Sequence, residues 1–157
     1  MNRGRAPRGF PRERKHDPMV DTRIFEPLFQ PLTVNRLTLP NRFVMPAMQR
    51  GWCDGGVPDS RLGDYYAARV AGGAGLIVSE ALAIDHPSAT GQAAAAHLTP
   101  RTLEAWRRIV GAVKRADGTI FLQLFHEGAL RPEGMAGTLS PSGLAWEGKA
   151  NGRPASR

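Results

Sequence analysis

Three apolar runs, at residues 43–48, 76–78 and 120–122, each close on a polar group: Gln49, the pair Ser79-Glu80, and Gln123. Segments with helical spacing of apolar residues separate them, so the order predicts strand, helix, strand, helix, strand. Strands joined by right-handed crossovers run parallel and bring their C-termini to one edge of the sheet. Ligands of α/β proteins bind at that edge. The three polar endings are therefore the first candidates for function.

The flanking signals fill in the elements. Residues 28–39 read as a short hairpin, because Leu32, Val34, Leu37 and Leu39 alternate with polar residues around an Asn35-Arg36 turn, and Pro40 closes it. The first central strand follows at residues 42–48, with Pro46 at or near its end because proline cannot donate to the ladder. Gly51, Asp54, Gly55, Gly56 and Pro58 mark a loop. Asp59 or Ser60 then caps a helix that places Leu62, Tyr66 and Val70 near one face, and Gly72-Gly73 stops it. Residues 75–79 read as a buried strand, and an extended loop with Pro87 and four alanines at 93–96 leads away from it. Thr99 as N-cap with Pro100 at the first helical position opens the clearest helix, with Leu103, Trp106, Val110 and Val113 at helical spacing and Gly118 at its end. Residues 119–125 form the third strand.

Charge separates the chain into parts. Of its 157 residues and net charge of +7, the whole excess lies in residues 1–23 and 149–157, and the stretch 24–148 is neutral. Residues 1–23 read as a basic disordered leader, 24–148 as the folded portion, and 149–157 as a polar tail. Met19 is an alternative start. A folded nucleic-acid binder carries its basic residues as a patch on a helix or sheet, and nothing in the neutral middle does so. Cys53 is the single cysteine, so no internal disulfide forms. The apolar stretches are too short for a membrane span, and no signal-peptide core follows the basic start. The expectation is a cytoplasmic protein with neither nucleic acid nor membrane as partner.

Several chemistries are set aside by spacing. Gly143, Gly148 and Lys149 have the spacing of a phosphate loop, but Ala150 stands where the magnesium-binding hydroxyl is needed, and Gly152 and Pro154 break the helix. Gly72-Gly73-Ala74-Gly75 precedes a strand rather than following one, unlike a dinucleotide fingerprint. His16, His86, His97 and His126 have no metal-ligand spacing with each other or with Cys53, so no metal is expected. The strand ends remain. A neutral glutamine both donates to and accepts from a heterocycle, which suits Gln123 and Gln49 to the edge of a flavin ring. Each could equally satisfy the backbone of its own loop.

Here the residues resemble a known family. The blocks Asn41-Arg42-Phe43-Val44-Met45-Pro46-Ala47-Met48-Gln49, then Tyr65-Tyr66 with Arg69, then residues 72–81, then Phe121-Leu122-Gln123-Leu124-Phe125-His126-Glu127-Gly128 look like the first three βα units of the old yellow enzyme family. Its members are FMN-dependent oxidoreductases on an eightfold βα barrel. The resemblance covers about residues 25–155 and implies a partial (β/α)8 TIM barrel: an N-terminal hairpin plus about three βα units.

The resemblance also implies roles. Pro46, Ala47 and Met48 match the first-strand end that passes along the flavin, and Gln49 stands where relatives often have Thr or Cys. Ala81 matches a small residue beside the ring, and Gln123 matches the glutamine bound to its pyrimidine edge. Gln49 and Gln123 are expected to project from neighbouring strands toward one flavin seat. Glu80 and His126 match family positions and are read mainly as orienting loops. Ala47 departs from the usual proline, and Trp52 and Cys53 are candidates to border the substrate, although a lone loop cysteine is inert without an activating cation.

For an intact relative the resemblance implies that NAD(P)H reduces the flavin, which passes hydride to the β-carbon of an alkene conjugated to a carbonyl. The cofactors implied are FMN and NAD(P)H, and the partner is a small activated alkene or related carbonyl compound. The catalytic residues, the carbonyl-holding pair and the phosphate site belong to later strands, beyond Arg157. The chain is thus expected to be an N-terminal fragment, inactive alone and without tightly held FMN, with homo-oligomerisation left open for a full-length protein. Two other readings stand beside it: a non-catalytic βα module that assembles with another chain, and a barrel enzyme of different chemistry. The latter needs a Schiff-base lysine or paired carboxylates, which Lys114 and Glu80 do not supply.

Overall fold

In a computed structural model of the chain, residues 22–131, 137–144 and 153–154 are described. Most of the basic leader, most of the 149–157 tail and the Gly148-Lys149 part of the phosphate-loop-like segment lie outside them.

A 3-10 helix at Thr22–Phe29 precedes a hairpin of β1 (Leu32–Val34) and β2 (Leu37–Leu39), paired antiparallel through Leu32↔Leu39 and Val34↔Leu37. The hairpin is shorter than expected because Leu28 and Phe29 belong to the 3-10 helix, and Asn35 in its turn takes the left-handed conformation, φ 54°. Then come β3 (Val44–Met45), the small hairpin of β4 (Cys53–Asp54) and β5 (Val57–Pro58), α1 (Arg61–Ala71) and β6 (Leu76–Ala83). They are followed by β7 (Ala96–His97), α2 (Leu103–Arg115), β8 (Ile120–Phe125), a 3-10 turn at Gly128–Leu130, β9 (Leu139–Ser140) and β10 (Arg153–Pro154).

The strand-helix-strand alternation forms as the pattern dictates. Central β6 pairs parallel with β3 through Val44↔Leu76 and Met45↔Ile77, and with β8 from Ile77↔Ile120 to Ala83↔Phe125. Further along, β7 joins the β3 side of β6 through Leu82↔Ala96. Both helices cover one face. Leu62 and Tyr66 of α1 and Trp106, Ile109 and Val113 of α2 pack with Ile77 and Leu82 into one buried cluster, flanked by Met45, Ile120 and Leu122. Each such side chain contributes roughly 1.5–3 kcal/mol by leaving water. By the two-residue period of a strand, Phe121 and Gln123 then face the other way. That face is bare: Phe121 is 53% exposed and Val44 48%.

β6 runs past the expected end at Ser79 to Ala83, and it carries a bulge on the way. Val78 pairs with Phe121 but Ala81 pairs with Gln123, so β6 spends one residue more than β8 over the same length. The extra residue reverses the alternation of β6. Ile77 and Leu82, five apart, both reach the helices in consequence, and Ala81 shares the bare face with Gln123. The Ser79 hydroxyl repairs the broken ladder, accepting the Gln123 backbone N–H at 3.1 Å while donating to the Glu80 carbonyl at 2.7 Å.

The start of α2 also differs from expectation. The regular helix begins at Leu103 with Thr102 before it, yet Thr99 makes the capping bonds: its hydroxyl accepts the Thr102 N–H at 3.3 Å, its carbonyl accepts the Leu103 N–H at 3.0 Å, and its own N–H donates to the Thr102 hydroxyl at 3.0 Å. The Thr102 hydroxyl is drawn inward to the His97 carbonyl at 2.7 Å, beside the Trp106 indole N–H at 2.9 Å from the same oxygen. At the other end Asp117 takes the left-handed conformation, φ 60°. Gly118 is needed for closeness instead: a Cβ there would lie 2.5 Å from Val70 Cγ2.

Candidate active site

The polar residues expected at strand ends separate into two environments. Gln49, past the end of β3, and Gln123, within β8, are exposed and belong to the C-terminal half of the sheet. They are not on neighbouring strands. β6 lies between β3 and β8, because the second strand in sequence takes the central place. Ala81 is the residue beside Gln123, in direct register on β6. Pro46, Ala47 and Met48 lead from β3 toward Gln49, with Ala47 partly covered and Met48 52% exposed.

Glu80 goes the opposite way. The bulge turns it off the bare face, and it is 1% exposed. Its Oε2 accepts the Arg50 backbone N–H at 2.7 Å, the Cys53 thiol lies 3.5 Å from its Oε1, and its backbone N–H donates to the Tyr66 hydroxyl at 2.9 Å. Glu80 therefore fastens the loop that carries Gln49 to the middle of the sheet. Arg50 adds to this, its Nε lying 3.2 Å from the Gln49 carbonyl and its guanidinium 5.4 Å from the centre of the Tyr65 ring.

This environment is hostile to a thiolate. Burial, and then the neighbouring Glu80 carboxylate, push the Cys53 thiol from 9.0 up to about 12. Cys53 is thus a neutral thiol at physiological pH and a poor nucleophile. The sulfur neighbours the loop without serving as its reactive group. Burial likewise lifts the fully enclosed Tyr66 phenol from 10.0 to about 12. At the loop's outer edge the Arg61 side chain, 3.1 Å away, holds the Asp59 carboxyl below its ordinary value.

Past the end of β8 the structure assembles a second polar group that spacing alone did not reveal. The Ser88 hydroxyl bridges His86 Nδ1 at 2.7 Å and His126 Nε2 at 2.9 Å, and Glu127, 9% exposed, receives donors from residues 90–92. The partners are about forty residues apart in sequence, so only the parallel crossover brings them together. A separate cavity of about 710 Å³, lined by Phe29, Asn41, Phe43, Arg69 and Gly73, lies at the N-terminal ends of the strands and includes none of the expected site residues. Among the described residues no group of three or more His, Cys, Asp or Glu side chains is arranged to hold a metal ion. No helix of the described residues is long and apolar enough to cross a membrane.

Comparison with known proteins places this arrangement. The chain is 35% identical over 133 residues to the flavin oxidoreductase hxnT of Emericella nidulans, covering 80% of this chain and 34% of that protein. It is 32% identical over 120 residues to a 12-oxophytodienoate reductase-like protein of Solanum lycopersicum, covering 76% of this chain and 34% of that protein. The chain therefore spans about a third of the length of these curated relatives. Among solved structures, the old yellow enzyme homologue from Zymomonas mobilis superposes with a TM-score of 0.66 at 33% identity, over 83% of this chain and 39% of that one. The sheet and helices described above are thus part of an old yellow enzyme barrel. Residues 27–145 match the family described as NADH:flavin oxidoreductase / NADH oxidase, and the chain belongs to that family.

Proposed function

We propose that the bare face of β6 and β8 is the flavin seat of an FMN-dependent NAD(P)H oxidoreductase of the ene-reductase type, of which this chain is the N-terminal part. One observation carries the reading: the bulge in β6 brings the small Ala81 into register with the exposed amide of Gln123. A flat heteroaromatic ring needs a small side chain beneath it and a neutral donor-acceptor at its edge, and these two residues supply both. The residues present fit the group. Gln123 would hold the pyrimidine edge, Gln49 would meet the ring from the β3 side, and Pro46, Ala47 and Met48 would line its path. FMN, when bound, supplies the hydride chemistry, and the protein supplies binding and orientation.

The substrate class follows as an activated alkene or related carbonyl compound, with NAD(P)H as the reductant and the cytoplasm as the location. The test is FMN titration of the full-length protein, followed by flavin fluorescence. Gln123→Ala should weaken binding about tenfold, in line with the loss of one or two hydrogen bonds at ~1 kcal/mol each. An unchanged affinity removes Gln123 from the seat.

The bare face also supports a second reading, that this βα module is completed by a separate chain. Phe121 and Val44 are half exposed on this face of a sheet with open edges, and such apolar surface calls for cover. Light scattering on the 157-residue chain discriminates, since a well-behaved monomer argues against assembly.

A further inference from the structure

The sequence leaves two uses open for Gln49: the edge of a ring, or the backbone of its own loop. In the structure other groups have taken the second role. The Arg50 backbone N–H donates to the buried Glu80 carboxylate at 2.7 Å. The Arg50 side chain folds back over the strand end, where its Nε donates to the Met48 carbonyl at 3.3 Å and to the Gln49 carbonyl at 3.2 Å. One cation thus caps both carbonyls where the chain leaves β3 for the loop, and a charged donor makes such bonds roughly twice as strong as a neutral one does. Among the described residues the exposed side-chain amide of Gln49 makes no hydrogen bond, and neither does that of Gln123. Their donors and acceptors are unspent.

Arg50 is itself held. Its guanidinium carbon lies 5.4 Å from the centre of the Tyr65 ring, and its Nη1 lies 3.5 Å from the Tyr65 hydroxyl. Tyr65, on α1, is braced in turn by the edge of Trp52, with 5.8 Å between ring centres, and by the Arg69 guanidinium 4.0 Å over its ring. A planar fork in such a cradle loses little freedom on bonding, which an ammonium on a flexible stem does not match. We propose that Arg50 is a positioning residue for the cofactor: by capping the Met48 and Gln49 carbonyls it spares the Gln49 amide from its own loop and presents it to the flavin ring. The proposal rests on the reading of the Ala81–Gln123 face as the flavin seat.

The test combines hydrogen exchange and FMN titration on the full-length protein. Arg50→Met removes the cation but keeps an apolar stem and the backbone N–H that Glu80 holds. Amide exchange of residues 48–52 should then accelerate about tenfold. The FMN dissociation constant should rise about fivefold, as expected for misplacing one hydrogen-bonding amide. In a Gln49→Ala background the same substitution should change it less than about twofold, because the amide that Arg50 orients is gone. A role in stability alone would weaken FMN equally in both backgrounds. Arg61→Met is the control: it strips a cation from the outer edge of the same loop, 5.0 Å over the Trp52 ring, and should leave FMN affinity within about twofold of the parent. Should Arg50→Met fail to fold, Tyr65→Leu withdraws the ring beside the guanidinium and should give the same pattern. Unchanged exchange, unchanged FMN affinity, an equal loss with and without the Gln49 amide, or the same loss in Arg61→Met overturns the proposal. A parent protein that binds no FMN overturns the flavin reading instead, and exchange alone then decides whether Arg50 holds the strand end.

Discussion

The Glu80 carboxylate lies 2.7 Å from the Arg50 backbone nitrogen, thirty residues away in sequence, and this contact fastens the β3–α1 loop to the central strand. A buried carboxylate that accepts a backbone N–H leaves that donor orphaned when it is removed. Glu80→Ala should therefore destabilise the protein by about 2–3 kcal/mol, and Glu80→Gln, which keeps an acceptor for Arg50, by about 1 kcal/mol, both read from urea denaturation midpoints. Both variants also remove the negative neighbour of Cys53. Alkylation of that thiol by iodoacetamide should speed up in each.

Alkaline pH should weaken the fold in a defined window. Folded Cys53 and Tyr66 hold their protons to about 12, against ordinary values of 9.0 and 10.0. Above those ordinary values the unfolded chain has released protons that the folded chain retains, so unfolding is favoured as pH rises. The contribution is complete below about pH 9 and is lost progressively toward pH 12. The urea midpoint should fall between about pH 9 and about pH 12, and Cys53→Ala should flatten the early part of that fall. A midpoint independent of pH over this range contradicts the burial of both groups.

Gly75 is fixed by closeness at the start of β6. A Cβ there would meet the Asn41 side-chain oxygen at 2.5 Å and the Asn41 carbonyl oxygen at 2.8 Å. Asn41 cannot retreat freely, because its amide donates to the Gly73 carbonyl at 2.9 Å and its oxygen accepts the Phe43 N–H at 2.9 Å. Gly75→Ala should cost about 1–3 kcal/mol as overpacking strain. The check is a lower urea midpoint at unchanged slope.

The parts of the fold that follow from short-range pattern were legible in the sequence. Leu103, Trp106, Val110 and Val113 announce α2 by spacing alone, and the strand-helix-strand order dictates a parallel sheet with its ligand edge. The bulge was hidden. Ile77 and Leu82 are five apart, which no regular strand can place on one face, and only the pairing with β8 shows where the extra residue goes. The central place of β6 follows from barrel order, in which consecutive strands pair, and the expectation that Gln49 and Gln123 stand on neighbouring strands overlooked it. Thr99 carries a good capping signal and makes the capping bonds, but the bond from the Thr102 hydroxyl to the His97 carbonyl, which ties the helix start to the preceding strand, has no local signature. Nor can local pattern reveal Glu127 as an anchor, because its donors lie 35–37 residues earlier in the chain.

Ala81 offers the sharpest test of the flavin seat. It is only partly buried and faces away from the helices, so a larger side chain has room in the folded protein. Adjacent strands lie about 4.8 Å apart, and a leucine on β6 at this position would therefore stand directly beside the Gln123 amide. Ala81→Leu should leave the far-UV circular dichroism and the urea midpoint close to those of the parent, within about 1 kcal/mol. A ring resting on that face would be displaced. The full-length variant should then purify without flavin absorbance and fail to take up added FMN, and retention of stoichiometric FMN would place the cofactor elsewhere.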